Sequence, residues 1–254
     1  MLILPACSLM PEPAEDKTSS ADNALTQAQD VSDIGKEIAD MVTMDDNPKL
    51  TSQNTAAEQD QTIASQNTRN LYIEQQQKRL VDVPKAVLTQ FEYALSLMKS
   101  KQWSKANQQL DDVLSAYPKL SGARVNKAII AMTQNKLSLA NEQLVMAIQA
   151  NENNPYAYLL KGKLERLQGD FAQAEQSYLK ALTIWPQYPE VHVNMAILLE
   201  LYRGRLVEAR GFYLSYLKLS PDDIQAQRWL AGVELKIKRA GIPLPEANKN
   251  SGAG

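Results

Sequence analysis

Four alanines set the frame of this chain. Ala106, Ala140 and Ala174 stand 34 residues apart, and Ala209 follows 35 residues later. Similar neighbours return around each: Leu110, Leu114 and Pro118; then Leu144, Ala147 and Ile148; then Tyr178, Ala181, Leu182 and Pro186; then Tyr213, Leu217 and Pro221. A second small residue precedes each set, at Ala94, Ala128, Gly162 and Ala196. Two helices cross closely only where a side chain is nearly absent, with larger neighbours filling the space around the crossing. A period of this length is that of a helical hairpin. One hairpin cannot bury its apolar stripe alone, so the copies must stack.

The sharpest copy runs from Pro155 to Tyr188, with Tyr158, Gly162, Gly169, Asp170, Phe171, Ala174, Tyr178, Ala181 and Pro186 in register. This pattern resembles the tetratricopeptide repeat, a two-helix unit. The resemblance implies an all-α fold, a right-handed superhelix of four helix-turn-helix repeats at 87–120, 121–154, 155–188 and 189–223. Eight repeat helices are expected, from 85–100 to 206–219, with the extra residue of the last repeat in the turn Tyr202–Arg205, where insertion is cheapest. A leading helix is expected over 69–80 and a solvating cap helix over 223–240, its Ile224, Trp229, Leu230, Val233 and Ile237 turned inward. Asp222 or Asp223 supplies the cap's N-terminal hydrogen bond. The domain so defined spans 69–241, followed by a flexible tail over 242–254.

The aromatics bound where a core can form: none occurs before Tyr72. Residues 8–70 carry twelve acidic and four basic residues and are rich in Ser, Thr, Asn, Gln and Ala. Such a stretch cannot bury enough apolar surface to offset its ordering entropy, so 8–68 reads as a disordered acidic tether before a mildly basic body. Within it, Val31, Ile34, Ile38 and Met41 share one helical face, which makes 31–42 a candidate short helix for docking on a partner or on its own repeats. The basic residues of the body are scattered, so no nucleic-acid binding is expected.

Cys7 is the single cysteine, so no internal disulfide can form. It follows Leu2, Ile3, Leu4, Pro5 and Ala6, an apolar run ending in a small residue. That context resembles a truncated bacterial lipobox (residues 1–7), in which the cysteine is lipidated. The resemblance implies a start upstream of Met1, a membrane contact through the lipid, and the periplasmic face of the outer membrane, given Ser8 rather than Asp after Cys7. A cytoplasmic scaffold or co-chaperone without lipid is the alternative.

Catalysis needs a convergent nucleophile, base and oxyanion donor set. The one histidine, His192, stands where the repeat family packs an aromatic, and no phosphate loop, dinucleotide fingerprint or metal-ligand spacing occurs. The expectation is a non-enzymatic protein without cofactor or metal. Binding is the better question. The resemblance assigns a concave groove to the first helix of each repeat, and carries it onto Leu88, Phe91, Leu95 and Met98; Val125, Asn126, Ile129 and Met132; Tyr156, Lys163 and Arg166; and Asn194 and Ile197. An apolar, methionine-bearing groove suits an amphipathic helix or an extended peptide of a protein partner; part of the stripe serves equally as inter-repeat core. Phe91, Leu95, Tyr156 and Leu160 stand where some relatives clamp a C-terminal carboxylate, which rules that clamp out here. Lys161 and Glu165 occupy positions where the family has apolar residues; four residues apart, they can pair. In layout the chain resembles the pilotins of type IV pili and the lipoprotein of the outer-membrane barrel assembly complex, implying an envelope-assembly role.

Overall fold

The computed structural model describes residues 69–244. The Cys7 and 31–42 expectations, the whole of the tether 8–68 and the tail beyond 244 lie outside them. All regular structure among the described residues is helical. A leading helix α1 (Leu71–Leu80) precedes four hairpins: α2 (Lys85–Lys99) with α3 (Trp103–Ala116), α4 (Ser121–Thr133) with α5 (Leu137–Ala150), α6 (Pro155–Leu167) with α7 (Phe171–Ile184), and α8 (Pro189–Ile197) with α9 (Leu206–Leu219). Helix α10 (Ile224–Arg239) closes the row. Each hairpin packs on the next, and first helices of neighbouring hairpins also touch.

The hairpins turn by one device. Lys101, Asn135, Gly169 and Gly204 all take positive φ, at 57°, 55°, 83° and 66°. They keep the spacing of the alanines, so the left-handed residue belongs to the repeat itself. Glycine fits that conformation without cost, and lysine and asparagine occupy it because the two helices over-determine the turn.

Ala106, Ala140, Ala174 and Ala209 are fully buried, as are Ala94, Ala128 and Ala196. Gly162 is the closest crossing: a Cβ there would lie 2.4 Å from Cε1 and 2.6 Å from Cδ1 of the buried Tyr178 ring. The core runs in two clusters that meet on α6. Leu160 and Leu164 face back to the first two hairpins, and Leu159 joins Tyr178, Tyr188 and the fourth hairpin.

The junction between the second and third hairpins is polar and closed. Asn154, 1% exposed, caps α6 by accepting hydrogen bonds from the Tyr156 and Ala157 amides at 3.1 and 3.2 Å. Its Nδ2 donates to Ser121 Oγ at 2.8 Å, which in turn donates to the Ala147 carbonyl at 2.9 Å. One side chain thus ties α4, α5 and α6.

The extra residue of the fourth repeat is not in the turn, as spacing alone suggested. Leu198–Tyr202 forms a π-helical turn at the end of α8, and the Arg203 amide reaches back to the Leu198 carbonyl at 3.1 Å. A π-turn absorbs one residue while keeping both helix ends in register, and the hairpin turn stays the same length. It also aims Glu200 inward. Glu200, its side chain only 8% exposed, pairs with Lys236 of α10 at 2.8 Å and accepts the Tyr213 hydroxyl at 2.8 Å. Burial first, and then that carboxylate, push the Tyr213 phenol far above its usual range.

Helix α10 corrects the expected cap. Ala226, Val233 and Ile237 make its buried seam, Leu230 is half-buried, and Ile224 and Trp229 are exposed. Of the two candidate caps, Asp223 accepts from the Ala226 amide at 2.9 Å. Lys161 and Glu165 do pair, at 2.7 Å. Ser177 Oγ donates to the second Glu165 oxygen at 2.6 Å, so this nearly buried carboxylate is satisfied.

His192 is half-buried beside Phe212, its Nε2 2.8 Å from the Pro186 carbonyl. Burial lowers its pKa below the ordinary imidazole value, and the Pro186 contact only partly offsets this. As pH falls below about 6.5 the unfolded chain takes up this proton first, so stability falls with it. We expect wild-type melting temperature to drop more between pH 7 and pH 5 than that of His192→Gln. Parallel melting curves for the two proteins would exclude this linkage.

Candidate partner-binding groove

The first helices α2, α4, α6 and α8 carry the groove positions, and the structure divides them. Leu88, Phe91, Leu95, Tyr156 and Ile197 are half-buried and keep exposed surface. Met98, Val125, Asn126, Ile129, Met132, Lys163, Arg166 and Asn194 are buried. The latter set is covered by neighbouring helices, so these side chains hold the repeats together. Asn126 and Asn194 donate to the carbonyls four residues back, those of Gly122 and Glu190, at 2.9 and 2.8 Å. The Arg166 guanidinium lies 5.7 Å from the Tyr202 ring centre, within cation–π range. Lys163 and Arg166 of the expected groove are therefore interior, and three of the five accessible positions lie on α2.

There the structure adds a feature. Helix α1 spans the first three repeats along the beginnings of their first helices. At its C-terminal end Leu80 packs with Val83 against the core of the first hairpin. At its N-terminal end Tyr72 meets Tyr156 edge-on at 5.5 Å, and Gln75 accepts from Asn153 Nδ2 at 3.1 Å. Tyr156 continues the aromatic row to Tyr188 at 5.5 Å, where Trp185 stacks on Tyr188 at 4.3 Å. Arg79 folds back over the Tyr72 ring, 4.5 Å from its centre, and donates to the Tyr72 carbonyl at 2.7 Å.

Helix α1 does not fill the space it crosses. Between it and the repeats lies a cavity of about 330 Å³. Its apolar floor is Leu88, Phe91 and Leu95 with Tyr117 and Leu120, and its rim carries Lys78, Arg79, Lys119, Asp82 and Glu92. Apolar surface with a polar rim binds apolar side chains on a polar backbone. The sequence pointed to the α2 contribution. It missed Tyr117 and Leu120, in the connection between α3 and α4, and Ala150, the last residue of α5. For Leu120 the available signal was an apolar residue directly before a first helix, a place usually polar. Among the described residues no group of three or more His, Cys, Asp or Glu converges as a metal site. No helix among them is long and apolar enough to cross a membrane.

A row of stacked helical hairpins with a lined groove defines the class: the fold is that of a tetratricopeptide-repeat solenoid, one that serves protein–protein interaction scaffolds. Residues 125–189 match the tetratricopeptide repeat family model. No curated protein matches the chain. Among solved structures, Pseudomonas aeruginosa PilF superposes with a TM-score of 0.57 at 19% identity, over 61% of this chain and 70% of that one. A thermophilic TPR protein of Thermus thermophilus gives 0.51 at 22% identity, over 63% and 87%. A MamA protein gives 0.52 at 14%, over 61% and 82%. At these identities the likeness is one of fold.

Proposed function

We propose that this protein is a non-enzymatic docking scaffold that takes an apolar helix or extended segment of a protein partner at the α2 end of its groove. The observation that carries this reading is the cavity floored by Leu88, Phe91 and Leu95, apolar surface left open in a row that buries most of its other groove positions. Burial of an anchor side chain there supplies the affinity, and the charged rim sets orientation. The scaffold works from the periplasmic face of a bacterial outer membrane, held by a lipid on Cys7, and serves assembly of an envelope complex of the pilus, secretion or outer-membrane type. The sequence around Cys7 supports the lipid, and the fold shared with PilF is compatible with the setting.

Two experiments test the two halves. A photo-crosslinker replacing Leu95 should capture a protein in the native cell, and one at the exposed Leu179 should not. Phe91→Glu should cut that capture about tenfold, the loss expected for a buried anchor, while the melting curve stays cooperative. Equal capture from Leu95 and Leu179 would refute the groove. Palmitate labelling of the native gene product should be abolished by Cys7→Ser; labelling that is absent from the wild type would refute the anchor and leave the groove untouched.

A further inference from the structure

The cavity and the acidic tether are joined by the chain itself. Helix α1 begins at Leu71 beside Tyr156, and the tether ends where α1 begins. Taken as a random coil, the 28 residues 43–70 between the 31–42 segment and α1 would reach about 29 Å, on the scale of 5–6 Å × √n. The cavity lies along α1, whose whole length is about 15 Å at 1.5 Å per residue. The segment therefore reaches the cavity with slack to spare, at an effective concentration that an external ligand of equal intrinsic affinity would have to exceed.

The chemistry of the two surfaces matches. The segment offers Val31, Ile34, Ile38 and Met41 at helical spacing, a stripe too short to hold a helix in water alone. The cavity offers an apolar floor that none of the described residues fills. The polar face of the segment carries Asp30, Asp33, Glu37 and Asp40 against one Lys36. The rim meets it with Lys78, Arg79 and Lys119, against Asp82 and Glu92.

We infer that residues 31–42 of the chain's own tether fold as a helix into this cavity, with Ile34 and Ile38 on the Phe91–Leu95 floor, and that an incoming partner must displace them. The occupant is intramolecular, and the groove is self-masked until a partner competes. The inference stands apart from the partner reading, since self-docking is measured with no partner present.

The test uses the full-length chain. A nitroxide is attached at Ser32→Cys in a Cys7→Ser background, and amide signals are read by NMR. The expected result is loss of the Phe91, Leu95 and Gly122 signals with Val233 unaffected. Adding Ile34→Asp and Ile38→Asp should restore the lost signals, and raising salt should restore part of them, because the rim charges are screened. Cavity signals that survive in the parent protein, or are lost equally in the aspartate variant, overturn the proposal. A mixture of spin-labelled unenriched chain with unlabelled enriched chain distinguishes the remaining occupant. Signal loss in that mixture equal to that within one chain means a second copy docks there, and the intramolecular assignment falls. Crosslinking from Leu95 is not involved in any of these readouts, so failure here leaves the partner-docking test standing.

Discussion

Gly162→Ala is expected to destabilise the protein by about 3 kcal/mol, at the upper end of overpacking costs. The new methyl would lie 2.4 Å from a ring carbon of Tyr178, and that ring is fully buried. Neither partner can swing away, so α6 and α7 must part at their closest crossing, and the leucines on both sides lose packing. The other repeats supply a rescue. At the matching positions the second repeat has Ala128 facing Leu144. Gly162→Ala with Tyr178→Leu rebuilds that pairing and should recover most of the loss, with a coupling of about 2 kcal/mol between the two sites. Urea unfolding of the two single variants and the double variant measures it. Strict additivity would show that the close approach is not the cause. The fourth repeat keeps both an alanine, Ala196, and a tyrosine, Tyr213, and it is the repeat whose first helix ends in a π-turn.

Asn154→Ala should cost about 2–3 kcal/mol, more than a helix cap alone. The cap contributes about 1 kcal/mol. The rest comes from Ser121, which loses the donor to its Oγ inside a closed junction, at about 1–3 kcal/mol for a buried group left unpaired. Asn154→Ser separates the two: it can still cap α6 but has no amide to reach Ser121, so it should recover about the capping share. The readout is the urea midpoint, and a loss below about 0.5 kcal/mol for the alanine variant, the range of ordinary surface changes, would rule out the three-helix tie.

The hairpin row was legible because its cause is local. A helix crossing needs a small residue, a hairpin turn needs a left-handed one, and both recur at a fixed count, so Ala140, Gly162 and Ala174 announce the architecture. Counting residues does not locate an insertion, however. A π-turn at Leu198–Tyr202 and a longer loop after Tyr202 give the same 35-residue step, and only backbone hydrogen bonds tell them apart. Exposure along the expected groove was legible only in part. Position within a helix says which face a side chain takes, and it placed Leu88, Phe91 and Leu95 on the open part. It could not say how tightly the next hairpin closes over that face, which is why Met132, Lys163 and Arg166 are interior. Nor does a short, polar helix such as α1 declare its route. That route depends on two distant partners, Tyr156 and Asn153, that no local pattern links to Tyr72 and Gln75.

Helix α1 has a mechanical consequence. Stacked hairpins that touch only their neighbours behave as a spring, whose bend is the sum of small compliances at each joint. A strut fastened near Val83 at one end and on Tyr156 at the other is a chord across the first three coils of that spring. Those end contacts resist a change in the spacing of the first three coils, and the fourth hairpin has no such chord among the described residues.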